Sequence, residues 1–149
     1  MDSARGLHEA LKGHFGERLR IEEVEHARRG CSLDIAASGA DIEEAADLMN
    51  GLGFALEAIS AVDWPAEEAM ELVYDFNGMA RGGRVTIRVR VPREIPELPS
   101  ISRIFGGADW YEREAHEMFG IAFSGHPNLI PLVLPEDATF HPLRKDFSA

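Results

Sequence analysis

The sequence predicts a two-layer α+β fold, in which a largely antiparallel sheet carries its helices on one face. Apolar residues recur at helical spacing in three stretches and alternate with polar residues in five others. The links between alternating stretches are short, which favours hairpins over long parallel crossovers. The predicted order is helix-strand-strand-helix-strand-strand-strand-helix. We assign residues 1–125 to one α+β domain and residues 126–149 to an extended, proline-rich docking arm.

The first helix is predicted to run from Ser3, a candidate N-cap, to Gly16, whose backbone freedom suits a helix stop. Two strands follow, centred on Ile21 and Leu33. Residues 28–30 form the turn that is predicted to join these strands as a hairpin.

The second helix begins with a pattern that resembles a capping box, because Asp41 precedes Glu44 by three residues. Its apolar stripe ends at Asn50-Gly51. Three strands follow, with these inward residues: Phe54, Leu56 and Ala58; Met70, Leu72, Tyr74 and Phe76; Val85, Ile87, Val89 and Val91. Residues 77–78 and 82–83 mark the turn between the last two strands.

The last of these strands carries a row of arginines, Arg84, Arg88 and Arg90, on the side opposite its valines. A slip of one residue in register would bury the row, so the register is strongly specified. The row is either the solvated face of a sheet covered on one side or a docking surface for an acidic partner.

The third long helix has Asp109 as its candidate cap, with Glu112 at the third helical position. Helical spacing predicts an apolar side made of Trp110, Tyr111, Ala115, Met118 and Phe119. The polar side permits two surface pairs four residues apart, namely Glu112–His116 and Arg113–Glu117. Gly120 fits the left-handed position after the helix end.

The arm, residues 126–149, has four prolines, which disfavour helix and central strand. It also contains many large apolar residues: Leu129, Ile130, Leu132, Val133, Leu134, Phe140, Leu143 and Phe147. A free tail would expose this surface to water, so the arm either packs on its own domain or lies on another protein.

The charge is unevenly distributed along the chain, whose net charge is −11. Residues 1–80 contain 6 basic and 17 acidic side chains, whereas residues 81–149 contain 9 of each. Such an acidic chain is a poor candidate for binding nucleic acid, and its neutral half is the better place for a protein partner. We expect a cytoplasmic setting, because no apolar run is long enough to cross a membrane and no signal-peptide core is present.

Catalytic and metal-binding signals are weak. The single Cys31 excludes an internal disulfide and a cysteine-ligated iron–sulfur cluster or zinc site. The helix fragment HEMFG lacks the second histidine of a zinc-protease motif, because Gly120 stands four residues after His116. A small metalloenzyme that uses His116, His126 and His141 remains an alternative, provided that the three rings converge.

Residues 109–147 resemble the signature of the thirty-kilodalton (30 kDa) subunit family of respiratory complex I. The matching motifs are Glu112-Arg113-Glu114, Glu117-Met118-Phe119-Gly120-Ile121, Gly125-His126-Pro127 and His141-Pro142-Leu143-Arg144-Lys145-Asp146-Phe147. The resemblance implies a cofactor-free structural subunit of an NADH:quinone oxidoreductase that translocates protons. Iron–sulfur clusters, flavin or a nickel–iron site would then belong to partner subunits, and this chain would have no active site of its own.

The resemblance also implies partners and interface residues. The chain would pack against the quinone-site subunit and neighbouring iron–sulfur subunits, on the cytoplasmic side of a membrane that it meets only through the complex. The candidate interface residues are Arg113, Glu117, His126, Pro127, Leu129, His141, Pro142, Leu143, Arg144, Lys145, Asp146 and Phe147. Of these, Arg113 and Glu117 are expected to be structural. Arg144 and Lys145 are expected to contact acidic or carbonyl groups of the partner.

One departure from the respiratory pattern is Ile130, which stands where members of that branch usually have a basic residue. The equivalent subunit of an energy-converting membrane nickel–iron hydrogenase, or of a related complex, is therefore the alternative assignment. A free-standing binding domain whose arm folds back on itself is a further alternative.

Overall fold

The computed structural model describes residues 3–78 and 83–149. The helices are α1 (Ser3–Phe15), α2 (His26–Arg29), α3 (Ile42–Gly51) and α4 (Ala108–Phe119). The strands are β1 (Arg20–Glu23), β2 (Leu33–Ala37), β3 (Ala55–Trp64), β4 (Ala69–Gly78), β5 (Gly83–Pro92), β6 (Glu97–Pro99) and β7 (Ala122–Ser124). The predicted order of the long elements is confirmed, and the short elements α2, β6 and β7 are additions to it. None of the helices in these ranges has the length and apolar content needed to span a bilayer.

Strands β1 to β5 form one sheet in the order β1-β2-β5-β4-β3. Every pairing in it is antiparallel except β2 with β5, which is parallel. The prediction of a largely antiparallel α+β sheet is confirmed. The parallel pair arises because the chain leaves β2 through α3 and the β3–β4 hairpin before it returns to β2 as β5. Strands β6 and β7 make a separate two-stranded parallel sheet.

The core lies between the sheet and the helices on one of its faces. The predicted inward residues of β4 and β5 are buried, and Tyr74 and Phe76 are 0% exposed. Leu11 of α1, Met49 of α3 and Ala115 of α4 belong to the same apolar cluster. Because residues from all three long helices share one cluster with alternate strand residues, the register follows from hydrophobic burial.

The opposite face of the sheet carries the arginine row, and each arginine there pairs with a carboxylate from this chain. Arg84 lies 2.5 Å from Glu57, Arg88 lies 2.9 Å from Asp34, and Arg90 lies 3.0 Å from Glu71. These paired charges favour a solvated, self-neutralised sheet face over a docking surface for an acidic partner.

Two predicted helix caps have different outcomes: Asp41 occupies the N-cap position of α3 but makes no capping hydrogen bond, whereas Asp109 is not the cap of α4. Asp41 ends a 3₁₀ turn and its backbone is already helical (φ −99°, ψ −9°), whereas a capping residue needs extended backbone. Its carboxylate instead accepts hydrogen bonds from Ser38 and Arg18, each at 2.9 Å. At α4 the N-cap position belongs to Gly107, and Asp109 lies inside the first turn. The side chain of Ser3, the third predicted cap, lies outside the described part of the chain.

The predicted turns and stops are partly confirmed. Gly16 (φ +58°) follows α1 and α3 ends at Gly51, both as predicted, and the left-handed residue after α3 is Gly53 (φ +85°). The predicted turn at residues 28–30 overlaps the short helix α2, which is followed by a left-handed Gly30 (φ +73°). Residues 79–82, in the predicted turn between β4 and β5, are outside the described residues.

Candidate docking interface on the last helix

Helix α4 buries part of the face that its apolar spacing predicts, since Ala115 is buried and Tyr111 and Phe119 pack against the core, but three residues depart from the prediction. Trp110 is 62% exposed, whereas Glu112 is 0% exposed and Glu117 is 4% exposed. The assignment of these three residues to faces is therefore wrong. Burying a carboxylate is costly unless fixed hydrogen-bond donors replace its water, and α4 has such donors on its buried side.

Glu112 holds the turn that precedes α4. Its Oε2 accepts a hydrogen bond from the Ser100 hydroxyl at 2.6 Å, and its Oε1 accepts one from the Ile101 amide at 2.8 Å. Burial raises the pKa of Glu112, and these two hydrogen bonds oppose that rise. The predicted pair with His116 does not form, because the His116 ring lies 2.8 Å from the Ile121 carbonyl instead.

Glu117 and Arg113 bind the first part of the arm. The Glu117 carboxylate accepts hydrogen bonds from three successive amides, those of residues 132–134, at 2.8 to 3.3 Å. Arg113 donates to the carbonyls of Ile130 (3.0 Å) and Pro131 (3.3 Å). The predicted Arg113–Glu117 pair is therefore replaced: four-residue spacing puts both side chains on one face, and both act on the arm that crosses it. We call residues 130–134 the first anchor.

Residues 141–144, which we call the second anchor, cap the C-terminal end of α4. His141 Nδ1 lies 3.0 Å from the Glu117 carbonyl, and the Leu143 amide donates to the Met118 carbonyl at 3.0 Å. Arg144 Nε donates to the Phe119 carbonyl at 2.7 Å. The last carbonyls of a helix have no partners inside it, so this segment supplies the missing donors. The Arg144 cation also lies at the negative end of the helix dipole.

Gly120 allows the second anchor to approach the helix. Its backbone is left-handed (φ +78°), and its amide donates to the His116 carbonyl at 2.9 Å, so the predicted helix stop is confirmed. A Cβ atom at this position would lie 2.9 Å from two ring atoms of His141. A side chain here is therefore unfavourable both because of the backbone conformation and because of the close neighbour.

Residues 145–146 form a third anchor at the end of β3. The Lys145 amide donates to Asp63 Oδ2 at 2.9 Å, and Arg93 bridges Asp63 (2.7 Å) and Asp146 (3.1 Å). The hydrogen bond from Arg93 lowers the pKa of Asp63. The Lys145 ammonium lies 5.2 Å from the ring centre of Trp64, within cation–π distance.

The arm thus has its backbone fixed to the domain while several large apolar side chains face solvent. Leu129 packs against the core. The exposed side chains, with their exposed fractions, are Ile130 (48%), Val133 (76%), Phe140 (45%), Leu143 (53%) and Phe147 (40%). The rings of Phe140 and Phe147 stack with centres 5.8 Å apart. Because its backbone is held in place and its apolar side chains face outward, the arm is a candidate protein-docking surface.

The three histidines of the metalloenzyme alternative bind separate parts of the backbone. His126 Nε2 lies 3.3 Å from the Asp109 carbonyl, while its Nδ1 accepts a hydrogen bond from the Asn128 amide at 3.0 Å. The other two rings face the carbonyls of Ile121 and Glu117, as described above. Within residues 3–78 and 83–149, no group of three or more His, Cys, Asp or Glu side chains is placed to hold a metal ion.

The predicted interface residues divide into two groups. Most hydrogen-bond or ion-pair within this chain: Arg113, Glu117, His126, His141, Leu143, Arg144, Lys145, Asp146 and Phe147. Of the others, Pro127 is exposed, and Leu129 and Pro142 are half-buried. Contact with a partner stays a prediction for all of them. Sequence reasoning missed Asp63 and Arg93, because their partners lie tens of residues away and no local pattern links them.

Comparison with known proteins places this arrangement in a family. Residues 35–149 match the family model described as respiratory-chain NADH dehydrogenase, 30 kDa subunit. The chain is 33% identical to a subunit of the F420H2 dehydrogenase of Methanosarcina mazei, across 97% of this chain and 91% of that protein. It is 42% identical to a subunit of the NADH-quinone oxidoreductase of Chlorobium phaeobacteroides, but there the match covers 62% of this chain and only 56% of the relative.

Solved structures give the same result. One chain of the membrane-bound sulfane sulfur reductase, an archaeal respiratory membrane complex, matches 97% of this chain and 85% of its own length, with a TM-score of 0.84 and 26% identity. A trypsin-resistant fragment of Nqo5 matches 87% of this chain over its full length, with a TM-score of 0.68 and 30% identity. The chain therefore belongs to the respiratory-chain NADH dehydrogenase 30 kDa subunit family.

Proposed function

We propose that this chain is a cofactor-free structural subunit of a complex I-type NADH:quinone oxidoreductase, and that its arm docks on the quinone-site subunit. The observation that carries the proposal is the arm itself, whose backbone is bound to α4 while Phe140, Leu143 and Phe147 face outward. Membership of a family with relatives named as oxidoreductase subunits supports the same role.

The anchors make such docking favourable. Ordering a flexible segment on binding subtracts from affinity, whereas this arm is held in place before a partner arrives. Burial of its outward apolar side chains can then contribute directly to association. In this role the chain supports electron transfer and proton translocation by holding neighbouring iron–sulfur and quinone-site subunits in position, on the cytoplasmic side of the membrane.

The second candidate is the equivalent subunit of a related complex with another electron donor, such as an energy-converting membrane hydrogenase. Two observations favour it. The F420H2 dehydrogenase relative aligns with nearly the whole chain, and the sulfane sulfur reductase structure has the higher TM-score of the two structures described. Purifying the intact complex separates the candidates, because a bound NADH-oxidising flavoprotein and a nickel–iron subunit are different products.

The docking role is tested by replacing Phe140 and Phe147 with serine together, in the full chain co-expressed with its complex. Both side chains are exposed and the residues lie next to the second and third anchors, which the substitutions leave unchanged, so we expect the lone variant to fold but the complex to lose this subunit. Ile95→Ser is the matched control, because Ile95 is 74% exposed and lies outside the arm. Normal assembly of the double variant would contradict the proposal.

A further inference from the structure

Trp110 is a large aromatic side chain that the fold leaves in solvent. It projects from the first turn of α4 and is 62% exposed, on a helix that buries two glutamates. Trp64, by contrast, is partly covered by Arg90 and Lys145, whose charged groups lie 5.3 and 5.2 Å from its ring centre. Tryptophan is among the residues most often responsible for binding energy at protein interfaces, so its exposure here indicates a contact surface.

The orientation of Trp110 is fixed by Arg113. The Arg113 guanidinium carbon lies 5.3 Å from the centre of the indole ring, and the same guanidinium is held by the carbonyls of Ile130 and Pro131. The ring is therefore stacked on a group that the first anchor immobilises. An aromatic side chain that is already oriented loses little conformational entropy when it is buried by a partner.

The charge of Arg113 is not matched within the described chain. Arg84, Arg88, Arg90 and Arg93 each pair with a carboxylate. Arg113 instead meets two carbonyls and an aromatic ring, with no carboxylate of residues 3–78 or 83–149 in ion-pair range. A guanidinium has five N–H donors, so donors remain for an acidic group of another protein.

Trp110 also continues the apolar surface of the arm. Arg113 links it to the first anchor, where Ile130 is 48% exposed and Val133 is 76% exposed. The helix and the arm thus present one surface with an aromatic side chain, two aliphatic side chains and an unmatched cation. A protein that lies on the arm would cover Trp110 as well.

We propose that Trp110 is the anchor of the docking surface: it inserts into an apolar pocket of the quinone-site subunit, and a carboxylate at the rim of that pocket pairs with Arg113. This inference rests on the proposed function and deepens it. It assigns a binding role to a residue outside the arm, and it specifies the partner surface as an apolar pocket with an acidic rim.

The test is a binding measurement between the full chain and the purified quinone-site subunit of the same complex. Trp110→Ala is expected to weaken binding at least about 10-fold, in line with the effect of removing an interface hot spot. Its melting temperature is expected to stay close to that of the wild type, because the side chain is mostly exposed. Ile95→Ala, which removes another exposed apolar side chain, is the matched control and is expected to bind like the wild type.

A second readout follows the tryptophans directly. The chain has two of them, so 5-fluorotryptophan labelling gives two fluorine resonances, which the Trp110→Phe variant assigns. Adding the unlabelled subunit is expected to shift the Trp110 resonance. Raising the salt concentration is expected to weaken binding by the wild type more than by Arg113→Gln, because only the wild type has the cation.

The outcomes separate this inference from the proposed function. If the wild-type chain does not bind the quinone-site subunit, both fail. If the wild type binds and Trp110→Ala binds equally well, or Ile95→Ala loses as much affinity, the docking role stands and the anchor is overturned. Dimerisation of the lone chain that disappears in Trp110→Ala would also overturn it, because the occupant would then be a second copy.

Discussion

Helices α3 and α4 have 10 and 12 residues and pack on the same sheet, but they differ in the kind of side chain that they bury. Helix α3 buries Ile42, Met49 and two alanines and keeps its acidic residues outside the core. Helix α4 buries Glu112 and Glu117 and exposes Trp110. The face that a helix buries therefore depends on what the opposing segment offers, as well as on the helix's own apolar residues.

Packing through apolar contacts and packing through buried carboxylates differ in two respects: whether they need a fixed geometry, and which other segments they depend on. Apolar contacts of the α3 kind are non-directional and need only a surface of matching shape. The α4 carboxylates need donors at fixed positions, which come from the turn at residues 100–102 and from the first anchor. Helix α4 and the arm are therefore expected to gain and lose order together, whereas α3 is expected to be independent of the arm.

The largest effect is expected from Glu117→Leu. This change leaves three partly buried amides without their acceptor, and a fully buried amide that loses its partner costs about 1 to 3 kcal/mol. We expect about 3 kcal/mol of destabilisation by denaturant unfolding, because solvent reaches the amides in part. Asp47→Leu on the exposed face of α3 is the control and is expected to change stability by less than about 0.5 kcal/mol.

Met49→Ala in α3 tests the difference between the two helices. It leaves a cavity in the core and is expected to lower the free energy of unfolding by about 3 kcal/mol. Hydrogen exchange at residues 132–134 should then report which helix supports the arm. Local protection there is expected to fall in Glu117→Leu and to persist in Met49→Ala, after correction for global stability. Equal loss of local protection in both variants would show that the arm does not depend on α4 in particular.

A smaller effect is expected at the helix end. Gly120→Ala forces an L residue into the left-handed region and brings its Cβ against His141, so we expect a loss of about 2 kcal/mol. Gly13→Ala in α1 makes the same chemical change at a helical site with no neighbour within 4 Å. That control is expected to stabilise the protein by up to about 1 kcal/mol, because alanine is the better helix former. Thermal unfolding of the two variants measures whether each change lowers or raises the stability.

The smallest effect is a pH dependence at Glu112. Its pKa in the folded chain is raised above 4.5 by burial, so the folded state holds the proton more tightly than the unfolded state. The stabilisation that comes from this tighter proton binding is fully present below about pH 4.5. It is lost as the pH rises through the raised pKa of Glu112. The wild type is therefore expected to lose stability relative to Glu112→Gln over that interval. Parallel pH profiles for the two proteins would rule out this role for Glu112.

The sequence-based predictions succeed where burial follows residue type. The alternating residues of β4 and β5 and the apolar stripe of α3 could be assigned because apolar side chains there simply leave water. For α4 the same rule placed Ala115 correctly but misassigned Glu112 and Glu117. Hydrophobic spacing takes no account of a hydrogen-bond donor elsewhere in the chain, such as the Leu132 amide, which lies 15 residues after Glu117. The four-residue spacing of Arg113 and Glu117 correctly placed both side chains on one face of the helix. It could not predict that this face binds the arm.

The burial of the Glu117 carboxylate also affects how the chain folds while it is being synthesised. A ribosome completes α4 before it adds the three amides that bind this carboxylate. The Lys145 amide, which binds Asp63, is likewise added 82 residues after Asp63. During that interval α4 has a charged face with no donors, which opposes its packing on a sheet that is otherwise finished. We therefore expect the C-terminal part of the nascent chain to dock late and as a unit, and to be open to proteolysis until it does.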